Sequence, residues 1–517
     1  MLCVRSFCVV AGLNVAFLAG APSRVADSVP ENVLVVHCDQ GKDLISRNIY
    51  GHFAEHLGDC IYGGVWVGED SPIPNTRGIR KDVVEALRRL HVPVLRWPGG
   101  CYADEYHWRE GIGARDQRPA TVNTHWGMVV ESNHFGTHEF LDFCQQIGAE
   151  AYISGNLGSG TVQELSQWVE YVNYSGESAL AELRRKNGRR EPWGVTYWGV
   201  GNESWGCGGN MTAEYYADQY RRYATYLRDY PGMRITRIAC GASDADYRWT
   251  EVLMREAGRS MQGLSLHHYT WARGKTADDF DEAGWFSIMK NARLMDELIT
   301  KHSEIMDKYD PRGRVGLVVD EWGTWYDVDA GTNPSFLRQQ NTLRDALVAG
   351  LTLNIFNNHC DRVKMANLAQ LVNVLQSVIL TQGEKMVVTP TYHVMEMYRP
   401  HQDATRLPAE LVCRDYRLAQ DRLPALSASA SRDASGAITL SLCNLDPKRS
   451  GLLQCDLRGA SPARVSGRIL TARAMNAHNT FDKPHALEPA TFNGAKLTGA
   501  TLQVTLPPKS VVVLRLE

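Results

Sequence analysis

Leu317-Val318-Val319-Asp320-Glu321-Trp322 is an apolar run without alternation that ends on two carboxylates. A strand that alternates apolar and polar residues keeps one face in water; a strand with no alternation is buried on both faces, as in a parallel sheet covered by helices. The run reads as a strand over Val315–Asp320. Working outward, seven further short segments read the same way: Asn48–Phe53, Val92–Trp97, Ala151–Ser154, Thr196–Val200, Ile235–Cys240, Gly263–His267 and Leu351–Asn357. Helical patterns separate them. Thr161-Val162-Gln163-Glu164 is a capping box, with Leu165, Trp168, Val169 and Val172 on one face. Ala213, Tyr216, Ala217, Tyr220, Ala224 and Leu227 form a second stripe, and Ile288, Ala292, Met295, Leu298 and Ile305 a third. Strand and helix alternating eight times over residues 46–390 predicts a (β/α)8 TIM barrel with enlarged loops.

From residue 391 the helical stripes fade, and period-two runs take over at Leu426–Ala430, Ala437–Leu442 and Leu502–Leu516, the last broken by Pro507-Pro508. Residues 391–517 therefore read as a C-terminal antiparallel β-sandwich, jelly-roll-like in architecture. Val33–His37, within residues 22–45, is strand-like and stands alone ahead of the barrel; joining that sandwich would clamp the chain ends together. At the N-terminus, Arg5, an apolar stretch from Phe7 to Leu18 and Ala19-Gly20-Ala21 fit a signal peptide over residues 1–21. That predicts a secreted or periplasmic protein, or a cytoplasmic one if the segment is not cleaved.

The chain has 517 residues, 44% apolar and 22% charged, with a net charge of −3. That mixture excludes disordered and multi-span membrane classes, and carries no basic footprint for nucleic acid or anionic lipid. The twelve cysteines follow no framework or C-x-x-C spacing, so free buried thiols are expected, with room for one or two bridges after export. Trp (13) outnumbers Phe (12), and Tyr adds 21, rings that suit sugar-binding grooves as well as cores.

In a TIM barrel the reacting groups sit where strands end and βα loops begin. Tyr197-Trp198-Gly199-Val200-Gly201-Asn202-Glu203 places Glu203 just past the fourth strand, and Glu321 lies just past the seventh. Those strands face each other across the ring. A glutamate alone after a strand is ordinarily a cap or a solvated charge. The pair, each beside tryptophan and small residues, fits the two carboxyl groups of a retaining glycosidase, one an acid/base and one a nucleophile. Related glycosidases acting as β-xylosidases or endo-β-glucanases would use the same pair. A different reading comes from His52-x-x-Glu55-His56, the inverted zinc-protease pattern; it requires a helix, whereas here a strand leads in and Gly58 follows.

Five ordered motifs carry a resemblance: Tyr50-Gly51-His52-Phe53-Ala54-Glu55-His56-Leu57-Gly58, Leu95-Arg96-Trp97-Pro98-Gly99-Gly100-Cys101, Trp198-Gly199-Val200-Gly201-Asn202-Glu203, Asp320-Glu321-Trp322, and Asp361-Arg362-Val363-Lys364-Met365-Ala366-Asn367-Leu368-Ala369-Gln370. Over nearly its whole length the chain resembles the α-L-arabinofuranosidases of glycoside hydrolase family 51. The resemblance implies Glu203 as acid/base, Glu321 as nucleophile and Asn202 as partner of the sugar 2-hydroxyl. It implies that Glu55, Cys101 and Gln370 line the furanose pocket, that Tyr269 stands beside the nucleophile, and that Trp126 and Trp325 are aromatic walls. Arg96 would keep Glu321 ionised. No cofactor or metal is implied; the partners are arabinose-containing poly- and oligosaccharides, and a homo-oligomer up to a hexamer is implied. Where the family often has Asn after Asp-Glu-Trp this chain has Gly323, which bears on loop shape and subsite selectivity.

Overall fold

The computed structural model describes residues 31–272 and 276–517; the segment read as a signal peptide lies outside them. Eight parallel strands close a barrel: Gly51–Phe53, Val94–Trp97, Glu150–Gly155, Tyr197–Val200, Thr236–Ser243, Gly263–Ala272, Gly316–Tyr326 and Val363–Ala369. Their interiors are buried almost throughout, which is why the sequence shows no alternation. The Thr161 hydroxyl accepts from the Glu164 backbone N–H at 3.1 Å and starts the helix Val162–Asn173. The third stripe is divided between two helices, Glu282–Ala292 and Leu294–Tyr309, which break at Arg293.

One strand assignment is overturned. Leu351–Asn357 is not the eighth strand but the second half of the helix Leu343–Asn358; the eighth strand is Val363–Ala369. That helix is buried from Leu343 to Asn357, wedged between barrel and sandwich, so its apolar run has no polar face to betray a helical period. The signal that identifies it lies further upstream: Thr342 and Asp345 form a capping box, with the Thr342 N–H donating to Asp345 Oδ2 at 2.7 Å.

The C-terminal region is two packed sheets. One, in spatial order, is 409–412, 32–37, 451–458, 501–506 and 495–498; the other is 405–407, 426–432, 438–444, 510–516, 465–470 and 490–491. Strand Asn32–His37 fills the gap between two strands of the first sheet, antiparallel to Ala409–Val412 and parallel to Gly451–Arg458. Leu34 and Val36 are fully buried with Leu440, Leu502 and Leu514 in the inter-sheet core. The outer face of the second sheet receives the buried helix, whose Asn357 Nδ2 donates to Ser429 Oγ at 3.0 Å; beside it Trp285 Nε1, from the helix Glu282–Ala292, donates to the Leu445 carbonyl at 2.8 Å. Barrel and sandwich thereby share a polar and apolar seam, and no described sandwich residue lines the cavity at the barrel's C-terminal mouth.

Candidate active site

At that mouth a cavity of about 330 Å³ opens, lined in part by Glu55, Cys101, Glu203, Tyr269, Glu321 and Gln370. Trp126 and Trp325 stand at its sides. These residues arrive from the barrel strands and the loops that follow them. Glu55 is two past the first strand and Gln370 one past the eighth, and Gln370 Nε2 donates to Glu55 Oε2 at 2.9 Å across the closure of the ring. Glu55 Oε1 accepts from the Gly100 and Tyr102 backbone N–H groups at 3.0 and 3.1 Å and from Trp126 Nε1 at 2.9 Å. Burial, with the charge of Glu321 added, pushes Glu55 up to about 7. Trp126 is carried by a hairpin, Thr121–Asn123 with Val129–Glu131, that follows the second strand.

Glu321 lies within the seventh strand rather than past it, because that strand runs on to Tyr326. The bulges that interrupt pairing around Val319–Trp322 and Ser265–His267 reset which side chains face the cavity. Glu321 Oε1 accepts from Arg96 Nη1 at 2.7 Å, and its Oε2 from the Tyr269 hydroxyl at 2.8 Å. Arg96 Nη2 also donates to Asn202 Oδ1 at 2.6 Å, so one guanidinium orients both residues from beneath the cavity. Gly100 leaves this carboxylate its place: a Cβ on it would stand 2.7 Å from Glu321 Oε1, so the carboxylate would have to shift. Trp325 stacks on Trp271 with ring centroids 4.2 Å apart and meets Tyr269 edge-on at 5.0 Å, giving an apolar wall.

Glu203 is three residues past the fourth strand, with φ at +40°. A carboxylate oxygen of Glu203, one of Glu321 and a ring nitrogen of His267 all lie within 4.8 Å of one another. His267 was not among the residues singled out from sequence, yet it joins the cluster: Nδ1 is 2.9 Å from Glu203 Oε1 and Nε2 is 3.1 Å from Asp320 Oδ1. Burial pulls its pKa down, but Glu321, Asp320 and Glu203 outweigh that and hold it up at about 10, so both ring nitrogens donate. Burial would raise Asp320, yet Arg96 and His267 keep it below the usual carboxylate range. Burial raises Glu203 above that range; His267 offsets part of the rise and Glu321 adds to it. His267, Asp320, Trp205 and Trp271 are among the site residues that sequence reading missed. His267 was findable, since it sits two residues before Tyr269 on one strand and so shares its face.

The zinc-protease reading is overturned by geometry. His52 lies in the first strand and no helix carries the motif. His56 is engaged with Glu131 Oε2 at 2.9 Å and Trp97 Nε1 at 3.1 Å, while Glu55 points into the sugar-sized cavity. Among the described cysteines, Cys101 and Cys207 form one disulfide, within the one or two bridges the sequence left room for, and eight others are free, seven of them buried.

Comparison with known proteins agrees with this site. The family model for the α-L-arabinofuranosidase 1 domain matches residues 86–284, and that for the α-L-arabinofuranosidase C-terminal domain matches residues 320–510. An intracellular exo-α-L-arabinofuranosidase of Bacteroides ovatus is 51% identical, over 98% of this chain and 99% of its own. The crystal structure of the family 51 arabinofuranosidase from Xanthomonas axonopodis pv. citri superposes with a TM-score of 0.93 at 53% identity, over 94% of this chain and all of that one. The α-L-arabinofuranosidase of Thermotoga maritima, solved as an arabinose complex, gives a TM-score of 0.84 at 33% identity, over 94% and 99% of the two chains. Two carboxylates converging on one cavity at the C-terminal mouth of a (β/α)8 barrel define a glycoside hydrolase. Within that class the chain belongs to the α-L-arabinofuranosidases of glycoside hydrolase family 51.

Proposed function

We propose that this enzyme releases terminal non-reducing α-L-arabinofuranosyl residues from arabinan, arabinoxylan or arabino-oligosaccharides by double displacement with net retention. The observation that carries the reading is the approach of Glu203 and Glu321 within 4.8 Å. Retaining enzymes keep the two carboxyl groups about 5–5.5 Å apart, whereas inverting ones leave about 6.5–9.5 Å for a water. The cavity, floored by Glu55 and Gln370 and walled by Trp126, suits one terminal sugar rather than the middle of a chain. That supports exo action over the endo-glucanase alternative.

Glu321, held by Arg96 and Tyr269, attacks the anomeric carbon while Glu203 gives its proton to the leaving oxygen. The Glu321–sugar ester forms as the glycosidic bond breaks. Glu203, now ionised, takes a proton from water, whose oxygen attacks the anomeric carbon and frees Glu321. Asn202, fixed by Arg96, presents its amide to the 2-hydroxyl. Arg96 and His267 carry two positive charges against Asp320 and Glu321, so the cluster balances when Glu203 holds its proton.

Glu321→Ala is expected to abolish hydrolysis of aryl α-L-arabinofuranosides, with azide restoring turnover to a product of inverted configuration. Glu203→Ala is expected to slow alkyl and oligosaccharide substrates by about 10²-fold or more, and dinitrophenyl arabinofuranoside far less, since a good leaving group needs no proton. Equal losses on all leaving groups would remove Glu203 from the acid role. The intracellular name of the Bacteroides ovatus relative favours the cytoplasmic location over export. The homo-oligomer implied by the resemblance is read directly from light scattering of the full chain; a single-chain mass contradicts it.

A further inference from the structure

Cys101 opens the short turn Cys101–Asp104 after the second strand, and Cys207 lies four residues beyond Glu203. Their bridge spans 106 residues of sequence and ties the loop after the second strand to the loop after the fourth. Glu203 Oε2 stands 3.5 Å from the Cys207 sulfur and 3.9 Å from that of Cys101. Both cysteines are half-buried and Cys101 faces the cavity, so small reagents that reach the sugar site also reach the bridge.

The same short turn holds Glu203 a second way. Asp104 is buried, and its Oδ1 accepts from the Leu157 and Gly158 N–H groups at 2.7 Å each, while Oδ2 accepts from the Asn202 N–H at 3.0 Å. The fit leaves no slack: a Cβ on Gly208 would stand 1.7 Å from the Asn202 carbonyl oxygen and 2.7 Å from Asp104 Oδ2. Glu203 itself, at φ +40°, holds a conformation that a non-glycine residue keeps only where its surroundings impose it. Bridge and carboxylate together supply that imposition, one on each side of the acid/base.

The chemistry of the sulfurs matters as much as the tether. A disulfide has no hydrogen to donate, so Oε2 faces a wall that offers its charged form nothing, and burial keeps the proton on. Two thiols in the same place would each have an S–H to offer a carboxylate, favouring its ionised form. We propose that the Cys101–Cys207 disulfide positions Glu203 for proton donation, and that opening it with a dithiol impairs that step. The inference rests on Glu203 being the acid/base. In the opening reaction a dithiol gives up two electrons and two protons: the Cys101–Cys207 S–S bond breaks, two protein S–H bonds form, and the dithiol closes to its own disulfide. The enzyme then responds to the thiol poise of its surroundings, proton donation being strongest in an oxidising one.

The test uses the full-length folded enzyme with and without dithiothreitol. Alkylation and peptide mass spectrometry count the sulfurs at Cys101 and Cys207, and kcat/KM is measured on aryl and alkyl arabinofuranosides of graded leaving-group pKa. With both sulfurs alkylatable, activity on the poorest leaving groups is expected to fall about tenfold or more, with little change on the dinitrophenyl substrate and recovery on reoxidation. Cys207→Ser is expected to reproduce the reduced profile and ignore the dithiol. A loss equal for every leaving group, or none when both sulfurs are labelled, overturns the proposal, as does finding both thiols free in the air-oxidised enzyme. If Glu203→Ala shows the leaving-group dependence and dithiol treatment does not, the disulfide's role falls while the acid/base reading stands.

Discussion

At Glu203 two influences oppose each other: burial favours the protonated acid, and the His267 imidazolium favours the carboxylate. Activity requires the protonated form, so it falls as pH rises through the Glu203 pKa. His267→Ala removes the group that favours ionisation, which raises that pKa further. The basic limb of the kcat/KM profile is therefore expected to move to higher pH, even as the loss of the Asp320 partner lowers the plateau. A limb that stays put or moves to lower pH would contradict this role for His267. At this scale the sequence motifs pointed to the two glutamates and Arg96, which the structure brings together at one cavity: Arg96 and Glu321 lie within strands and Glu203 three residues past one, each near glycine and tryptophan. The pairing of Cys101 with Cys207 was not legible, since 106 residues separate them and no spacing rule connects them.

The elements that hold the site are short. The turn Cys101–Asp104 spans four residues, yet through the Asp104 carboxylate alone it holds three backbone N–H groups on two separate segments. In Asp104→Asn the amide oxygen keeps the Leu157 and Gly158 bonds, but the NH₂ group faces the Asn202 N–H as a second donor. About a tenfold to hundredfold loss of kcat on alkyl arabinofuranosides is expected from displacing the Asn202–Glu203 turn, with product arabinose binding much less affected. A loss confined to KM would contradict a positioning role. Element type was readable wherever burial was one-sided, as in the helix Val162–Asn173 with its cap and stripe. It failed at Leu343–Asn358, where barrel and sandwich cover the helix on every side and apolar content no longer distinguishes helix from strand.

Across the whole molecule, the barrel's closed ring leaves the C-terminal mouth to chemistry and gives its flank to the sandwich. The strand Asn32–His37 enters between two C-terminal strands, so the first described element and the last third of the chain stabilise one another. Leu34, fully buried in that inter-sheet core, is the place to measure the clamp. Leu34→Ala is expected to cost about 2–5 kcal/mol in a denaturant titration, while kcat of the folded fraction is unchanged, because no residue of that inter-sheet core lines the cavity. A variant of unaltered stability would show that this strand is dispensable. The barrel was legible from seven of the eight unalternating runs, the other, Leu351–Asn357, being helix, and the sandwich from period-two runs after residue 400; the parallel pairing within the sandwich was not, since pattern alone does not fix strand order.

The claim at the centre is that Glu321 and Glu203 act in turn on one anomeric carbon. Proton NMR of the first sugar released from an aryl α-L-arabinofuranoside, recorded before mutarotation, tests it most directly. Two displacements at that carbon predict α-arabinofuranose as the initial product; β-arabinofuranose appearing first would mean a single displacement by water, and Glu321 would not be a nucleophile.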